Sequence, residues 1–227
     1  MYEKAAAVLE AWLPGIYGGN AIAETIAGLN NPGGRLPVDV PRHVGQTPVY
    51  FGQHAGSRSD KGMRGINPNG YGTMTCASKL PFGYGLSYTD FSYQDGTMNV
   101  TRDEDGMERI TMSITVKNTG NMDGDEVIEL YGTDKRASVI RPAKELIGFK
   151  RVSLKAGECT NVSMTFRIDQ LAFVDLSGDW IVEEGDFLFF FGKDCNTPVY
   201  EMEYHQNQTL VIDHTKRDFF AKSTERR

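Results

Sequence analysis

The chain has 227 residues, a net charge of −6, 40% hydrophobic and 24% charged residues, the composition of an ordinary globular protein of one or two domains. The acidic balance argues against unspecific nucleic-acid binding, which needs Lys and Arg to neutralise phosphates. No run approaches the roughly 18–20 apolar residues that would cross a bilayer, and the opening MYEKAAAVLEAWLPG carries Glu3 and Glu10 in place of a long apolar leader; neither nucleic acid nor a membrane is an expected partner.

Residues 1–30 read as helical pieces around a glycine turn. Ala5, Val8, Leu9 and Trp12 recur at helical spacing and stop at Pro14-Gly15. Gly18-Gly19-Asn20 then opens a second helix, with Asn20 as its N-cap, Ala21, Ile22, Ile26 and Ala27 as its apolar stripe, and Gly28 as its stop. Prolines 32, 37, 41 and 48 forbid a long helix in the next stretch. Short extended pieces at Leu36–Val40 and Pro48–Phe51 are expected there. Residues 57–90, rich in Gly, Ser, Asn and Tyr, read as a long irregular loop, a feature that compact proteins keep for function or disorder.

From about Phe91 the pattern turns to period-two alternation. Strands are expected at Arg109–Lys117, Glu126–Asp134, Lys144–Leu154, Glu158–Ile168, Leu171–Val174, Asp179–Val182 and Asp186–Phe191, with turns at Asn118–Asn121, Lys155–Gly157, Ser177-Gly178 and Glu184-Gly185. Leu146, Phe149 and Val152 break the alternation of the third strand and suggest a bulge. Short strands at this spacing form an immunoglobulin-like β-sandwich. The fold class is therefore mainly β, a sandwich preceded by helical and extended pieces. The tail HTKRDFFAKSTERR has no partner in the pattern and reads as frayed or as a linker.

Cys76, Cys159 and Cys195 form no CxxC and are odd in number, so they read as free thiols of a reducing, cytoplasmic compartment, with a Cys159–Cys195 bridge left open. Asn99, Asn161 and Asn207 head glycosylation sequons that matter only on a secretory route. Asp123, Asp125 and Glu126, like Glu183-Glu184, read as solvated turn charges without an apolar pocket to raise a carboxyl pKa. His43, His54, His205 and His214 lack metal-ligand or triad spacing. No metal or other cofactor is implied. Trp180 and the run Phe187, Phe189, Phe190 and Phe191 read as strand core, with Phe190 out of phase and able to face outward. The candidate binding residues are Arg58, Asp60, Arg64, Asn67, Asn69 and Tyr71, which combine sugar-type hydrogen-bonding groups with an aromatic face in the long loop.

Several ordered blocks resemble one family. AWLPGIYGGNAIAETIAGLNNPGGRLPVDVP resembles the end of the α/β-sandwich domain of glycoside hydrolase family 3, and LPFGYGLSYTDF resembles the entrance to that family's last domain. VKNTGNMDGDEVIELY, RPAKELIGFKRVSLKAGE and the LAFVD and WIVEEGDFLFFFG segments resemble its fibronectin type III-like domain. The resemblance implies a partial α/β-sandwich remnant at 1–56, a connecting loop at 57–90, a fibronectin type III-like domain at 91–205 and a charged tail at 206–227. It also implies the C-terminal portion of a retaining β-glycosidase that removes terminal β-linked sugars with two carboxyl groups. The expected partners are a β-linked glycoside and a catalytic barrel in cis or trans, with both catalytic carboxyls outside this chain. In such an enzyme the loop residues would lie toward the leaving-group side of the substrate. The alternative is a non-catalytic carbohydrate-binding, spacer or interaction module.

Overall fold

A computed structural model describes residues 4–54 and 75–226. Residues 4–17 form no helix, and the first regular element is α1, Gly18–Ile26. The helix expected around Ala5–Trp12 is thus absent although its spacing is helical. Val8, Leu9, Trp12 and Leu13 are all exposed, and a short amphipathic segment with nothing to pack on does not offset its nucleation cost. α1 starts two residues before the expected cap, with Tyr17 at the N-cap making no side-chain bond. Gly18 permits this start, because a Cβ there would lie 2.4 Å from Pro14 Cγ. Gly28 does end the helix. It sits at φ +73, its N–H donates to Thr25 O, and Leu29 N donates to Glu24 O, the paired bonds of a Schellman motif.

After α1 the described residues up to Asp90 run as a strap without regular strands, apart from a short 3₁₀ turn at Val44–Gln46. Val40 bridges Leu80, and His54 bridges Pro142, so both stems of the long loop are pinned. Gln46, 2% exposed, reinforces this by accepting from Arg42 N and donating to the carbonyls of Cys76 and Ala77.

Eleven strands follow: β1 Phe91–Arg102, β2 Glu108–Asn118, β3 Gly124–Asp134, β4 Glu145–Leu154, β5 Cys159–Arg167, β6 Phe173–Val174, β7 Trp180–Val182, β8 Gly185–Gly192, β9 Pro198–Gln206, β10 Leu210–Val211 and β11 Lys222–Arg226. They build two antiparallel sheets, β1-β2-β5-β11 and β4-β3-β8-β9, with a small β10-β7-β6 ribbon at one end. This is the immunoglobulin-like sandwich expected from the alternation, and the fibronectin type III-like one that the resemblance implied. Alternate residues Ile110, Met112, Ile114 and Val116 of β2 and Val162, Met164 and Phe166 of β5 meet Ile128 and Leu130 of β3 and Phe187, Phe189 and Phe191 of β8 in one core. Each large side chain buried there contributes about 1.5–3 kcal/mol. The bulge falls in β4, where Leu130 pairs with Gly148 and Tyr131 with Leu146, leaving Ile147 as the extra residue.

β1, β9, β10 and β11 were not among the strands expected by name. β1 reads FSYQDGTMNVTR and is half exposed along its length, so its alternation carries little apolar contrast. It contains its own bulge at Asp95-Gly96, and a Cβ on Gly96 would lie 2.3 Å from the Tyr200 ring of β9. The segment expected as a strand from Leu171 begins instead as a 3₁₀ turn, Ile168–Leu171, and only Phe173–Val174 pair.

The tail is a correction to the expectation of a frayed end. Lys222–Arg226 pairs in register with β5, from Lys222 opposite Thr165 to Arg226 opposite Asn161. Gly148 of β4 lies so close to Ala221 that a Cβ would come within 2.8 Å of the alanine methyl. Arg217 lies between the rings of Trp180 and Phe219, 4.7 and 5.0 Å from their centroids, and donates to Gln170 O at 2.7 Å. Charge in the tail therefore serves docking, through cation–π contacts invisible to a hydrophobic pattern.

Candidate functional site

A group of buried polar residues, Asn118, Glu126 and Glu129 among them, lies along the seam where the strap meets β3. Two glycine-bearing segments of the strap hold each other: Leu36 N donates to Tyr84 O at 2.9 Å and Gly83 N to Leu36 O at 2.8 Å. Asn31 ties them to the sandwich, donating to Asp123 O at 2.9 Å and accepting from Ser87 Oγ and Tyr88 N. The Tyr88 hydroxyl reaches back to Thr25 O of α1 at 2.8 Å. Beneath, the fully buried Asn118 accepts from Thr89 Oγ1 and Gly120 N and donates to Met122 O and Leu154 O. Buried polar groups satisfied at this density fix one arrangement of the two segments.

Glu126 sits at the centre of the seam. Arg35 Nη2 meets its Oε2 at 2.5 Å and the Tyr93 hydroxyl donates to its Oε1 at 2.7 Å. The side chains of Arg35 and Glu126 are only 7% and 5% exposed. Burial raises the Glu126 pKa, opposed by the Arg35 charge and the Tyr93 bond. The expectation that Glu126 is a solvated turn charge is therefore wrong. The signal was present, since Glu126 is in phase with Ile128 and Leu130, which line the core. Asp125 and Asp123 do lie at the surface, bonded to Arg151 and to Ala156 N.

Three residues further, Glu129 is 5% exposed and accepts from the Tyr131 hydroxyl at 2.6 Å. Burial pushes its pKa up to about 7. Gly83, at φ +84, packs directly on it, and a Cβ there would lie 2.1 Å from Glu129 Oε2. Tyr131 continues into a second apolar cluster with Phe190, Cys195, Phe51, Phe82 and Leu146. Phe190 thus points to the outer face of its sheet, as its phase suggested, yet the strap buries it. Burial pushes the Cys195 thiol up to about 12.

A cleft of about 150 Å³ opens beside this seam, lined among others by Arg35, Tyr93, Glu126, Lys193, Ser87 and Asp90. It is smaller than the several hundred Å³ typical of ligand pockets. Its central charges are already paired with each other, so the arrangement suits docking rather than bond cleavage.

The other residues singled out from the sequence are dispersed. Arg58, Asp60, Arg64, Asn67, Asn69 and Tyr71 lie outside the described residues. His43 caps the 3₁₀ turn by accepting from Gly45 N, His205 pairs with Asp186, and His214 stacks on Trp180. Phe187, Phe189 and Phe191 are core, so they offer no sugar platform. All three cysteines are free, Cys159 exposed and Cys195 buried. Among the described residues, no three His, Cys, Asp or Glu side chains converge as metal ligands, and no helix is long and apolar enough to cross a membrane.

Comparison with known proteins places this architecture. Residues 1–88 match the glycosyl hydrolase family 3 C-terminal domain, and residues 126–195 match a fibronectin type III-like domain. The chain belongs to glycoside hydrolase family 3 and corresponds to the C-terminal region of its β-glucosidase-type enzymes. It is 40% identical to a periplasmic β-glucosidase of Salmonella typhimurium, over 85% of this chain and 25% of that protein. It is 35% identical to the thermostable β-glucosidase B of Acetivibrio thermocellus, over 92% of this chain and 28% of that protein. The crystal structure of a β-glucosidase from Listeria innocua superposes with a TM-score of 0.81 at 29% identity, covering 91% of this chain and 29% of that one. The same enzyme is known in complex with glucose and, as a mutant, with laminaribiose. The chain thus spans about a quarter of the length of the relatives it matches.

Proposed function

We propose that this chain is the C-terminal bracing portion of a retaining β-glycosidase that hydrolyses terminal β-linked sugars, with both catalytic carboxyls outside these 227 residues. The observation that carries the reading is the engagement of the buried carboxyls at the seam. Glu126 is bound by Arg35 and Tyr93, and Glu129 is bound by Tyr131 and covered by Gly83. A retaining pair must instead flank a sugar at about 5–5.5 Å from each other. The partner that supplies the chemistry is a catalytic barrel, in cis or trans. Leu13, Ile16, Tyr17, Ile26 and Leu29 are all more than 70% exposed along residues 13–29 and offer it an apolar face.

The purified chain should show no turnover of aryl β-glucosides. Activity that persists through removal of contaminating enzyme would refute the reading. The domain division at 1–56, 57–90, 91–205 and 206–227 belongs to the same proposal, with the fourth segment docked onto the sandwich by β11. Within the intact enzyme, Arg58, Asp60, Arg64, Asn67 and Tyr71 contact the leaving-group side of the substrate. Alanine at Arg64 and Tyr71 should change kcat/KM unequally across a series of aglycones, and identical kinetics across that series would remove the loop from the site.

A further inference from the structure

The seam has more buried acid than buried base. Glu126 and Glu129 of β3 and Asp194 of the β8–β9 turn are each at most 6% exposed. The cations around them are Arg35 from the strap, Lys193 from the turn, whose ammonium stands 6.0 Å from the Tyr93 ring, and Lys144, whose Nζ donates to Cys195 O and Asn196 Oδ1 of that turn. Arg35 is committed to Glu126, and Asp194 caps its own turn through Asn196 N and Thr197 Oγ1. Glu129 is bonded by the neutral Tyr131 hydroxyl and covered by Gly83. Tyr93, Tyr131 and Cys195 are all held in their neutral forms by burial, and Asp39 of the strap adds a further carboxyl near Cys195. An ionised carboxylate beneath a strap, beside two other carboxylates, opposes closure of that strap.

We propose that Glu129 is a proton-operated latch, closing the segment around Gly83 onto the sandwich when its carboxyl is neutral and loosening it when the carboxyl ionises. The structure supplies the reporter: Cys195 N donates to Phe82 O at 3.0 Å, one backbone bond that joins sandwich to strap. The direction follows from linkage. Burial raises the closed-state pKa of Glu129 from 4.5 to about 7. The closed seam therefore binds the proton more tightly than the open one. Its extra stability is fully present below the open-state value and is lost as pH rises through the closed-state value. Opening of the seam should grow by roughly 10²-fold between pH 5 and pH 8.

Hydrogen exchange on the whole chain tests this, following the Cys195 amide with intrinsic rates corrected for pH and β2 and β5 amides as internal controls. The wild type should show the rise in opening at Cys195 while the controls hold. Glu129→Gln, neutral at every pH, should lose most of that rise, keeping only what the raised pKa of Glu126 contributes. Tyr131→Phe removes a donor that favours the carboxylate and should move the midpoint to higher pH. This second variant, with direct NMR titration of the Glu129 carboxyl, keeps the test decisive if Glu129→Gln does not fold. A flat wild-type profile, an unchanged slope in Glu129→Gln, or an unmoved midpoint in Tyr131→Phe would overturn the latch.

Discussion

Arg35 and Glu126 stand 91 positions apart in sequence and meet at 2.5 Å, nearly free of solvent. One belongs to the strap and the other to β3, so the pair joins the two parts of the chain that the family models match separately. Removing one partner of a buried pair leaves an uncompensated charge, at about 3–5 kcal/mol. Arg35→Met or Glu126→Leu alone should destabilise the chain by that amount in urea titrations. The double variant should recover most of the loss, because two apolar groups need no partner. Additive losses in the double variant would show that the pair does not couple strap to sandwich.

Gly83 is constrained twice. Its φ of +84 disfavours any side chain, and the space its Cβ would occupy is already held by Glu129 Oε2. Gly83→Ala should therefore destabilise by about 2–4 kcal/mol, with the loss concentrated at the strap. Gly157, also at positive φ but with open space around its Cβ position, should lose only about 1–2 kcal/mol on the same change. Equal effects of the two substitutions, compared by thermal melts, would mean that the contact with Glu129 contributes nothing.

The docked tail makes a prediction about Trp180. Arg217→Ala removes the cation between Trp180 and Phe219 and the bond to Gln170 O. The expected loss is about 1–2 kcal/mol, with a change in Trp180 emission. Arg217→Lys should recover only part of it, because an ammonium does not stack between two rings. Unchanged stability and emission in Arg217→Ala would return the tail to the status of a linker.

The cysteines should separate cleanly by chemistry. Cys195 is 1% exposed and its thiol is pushed up to about 12. Only roughly one molecule in ten thousand would carry its thiolate at pH 8, and the thiolate is the nucleophile. An iodoacetamide pulse followed by peptide mapping should label exposed Cys159 in the native chain and Cys195 only after unfolding. Comparable native labelling of both would place Cys195 outside the cluster with Tyr131 and Phe190.

The sandwich was legible because its core strands alternate strongly. In β2, Ile110, Met112, Ile114 and Val116 are inward and the residues between them more exposed. The bulge of β4 and the stop at Gly28 were legible for similar local reasons: broken phase and a residue suited to positive φ. The Ala5–Trp12 spacing was equally regular and misled, since the residues it would bury find no cover among the described residues. Local pattern determines a helix only where tertiary contact supplies the other surface.

The sequence by itself determined the sheet faces, the turns and the family blocks, all of which depend on residues near one another along the chain. The tertiary structure alone decided that Arg35 pairs with Glu126, that Glu129 is buried, that Phe190 is covered, and that the charged tail is a strand. Each of these depends on a segment brought from far along the chain. Arg35 and Gly83 come from the strap, and Arg217 from the tail. Strand phase gives the face a charged side chain takes, but which countercharge it meets is set by what folds over it.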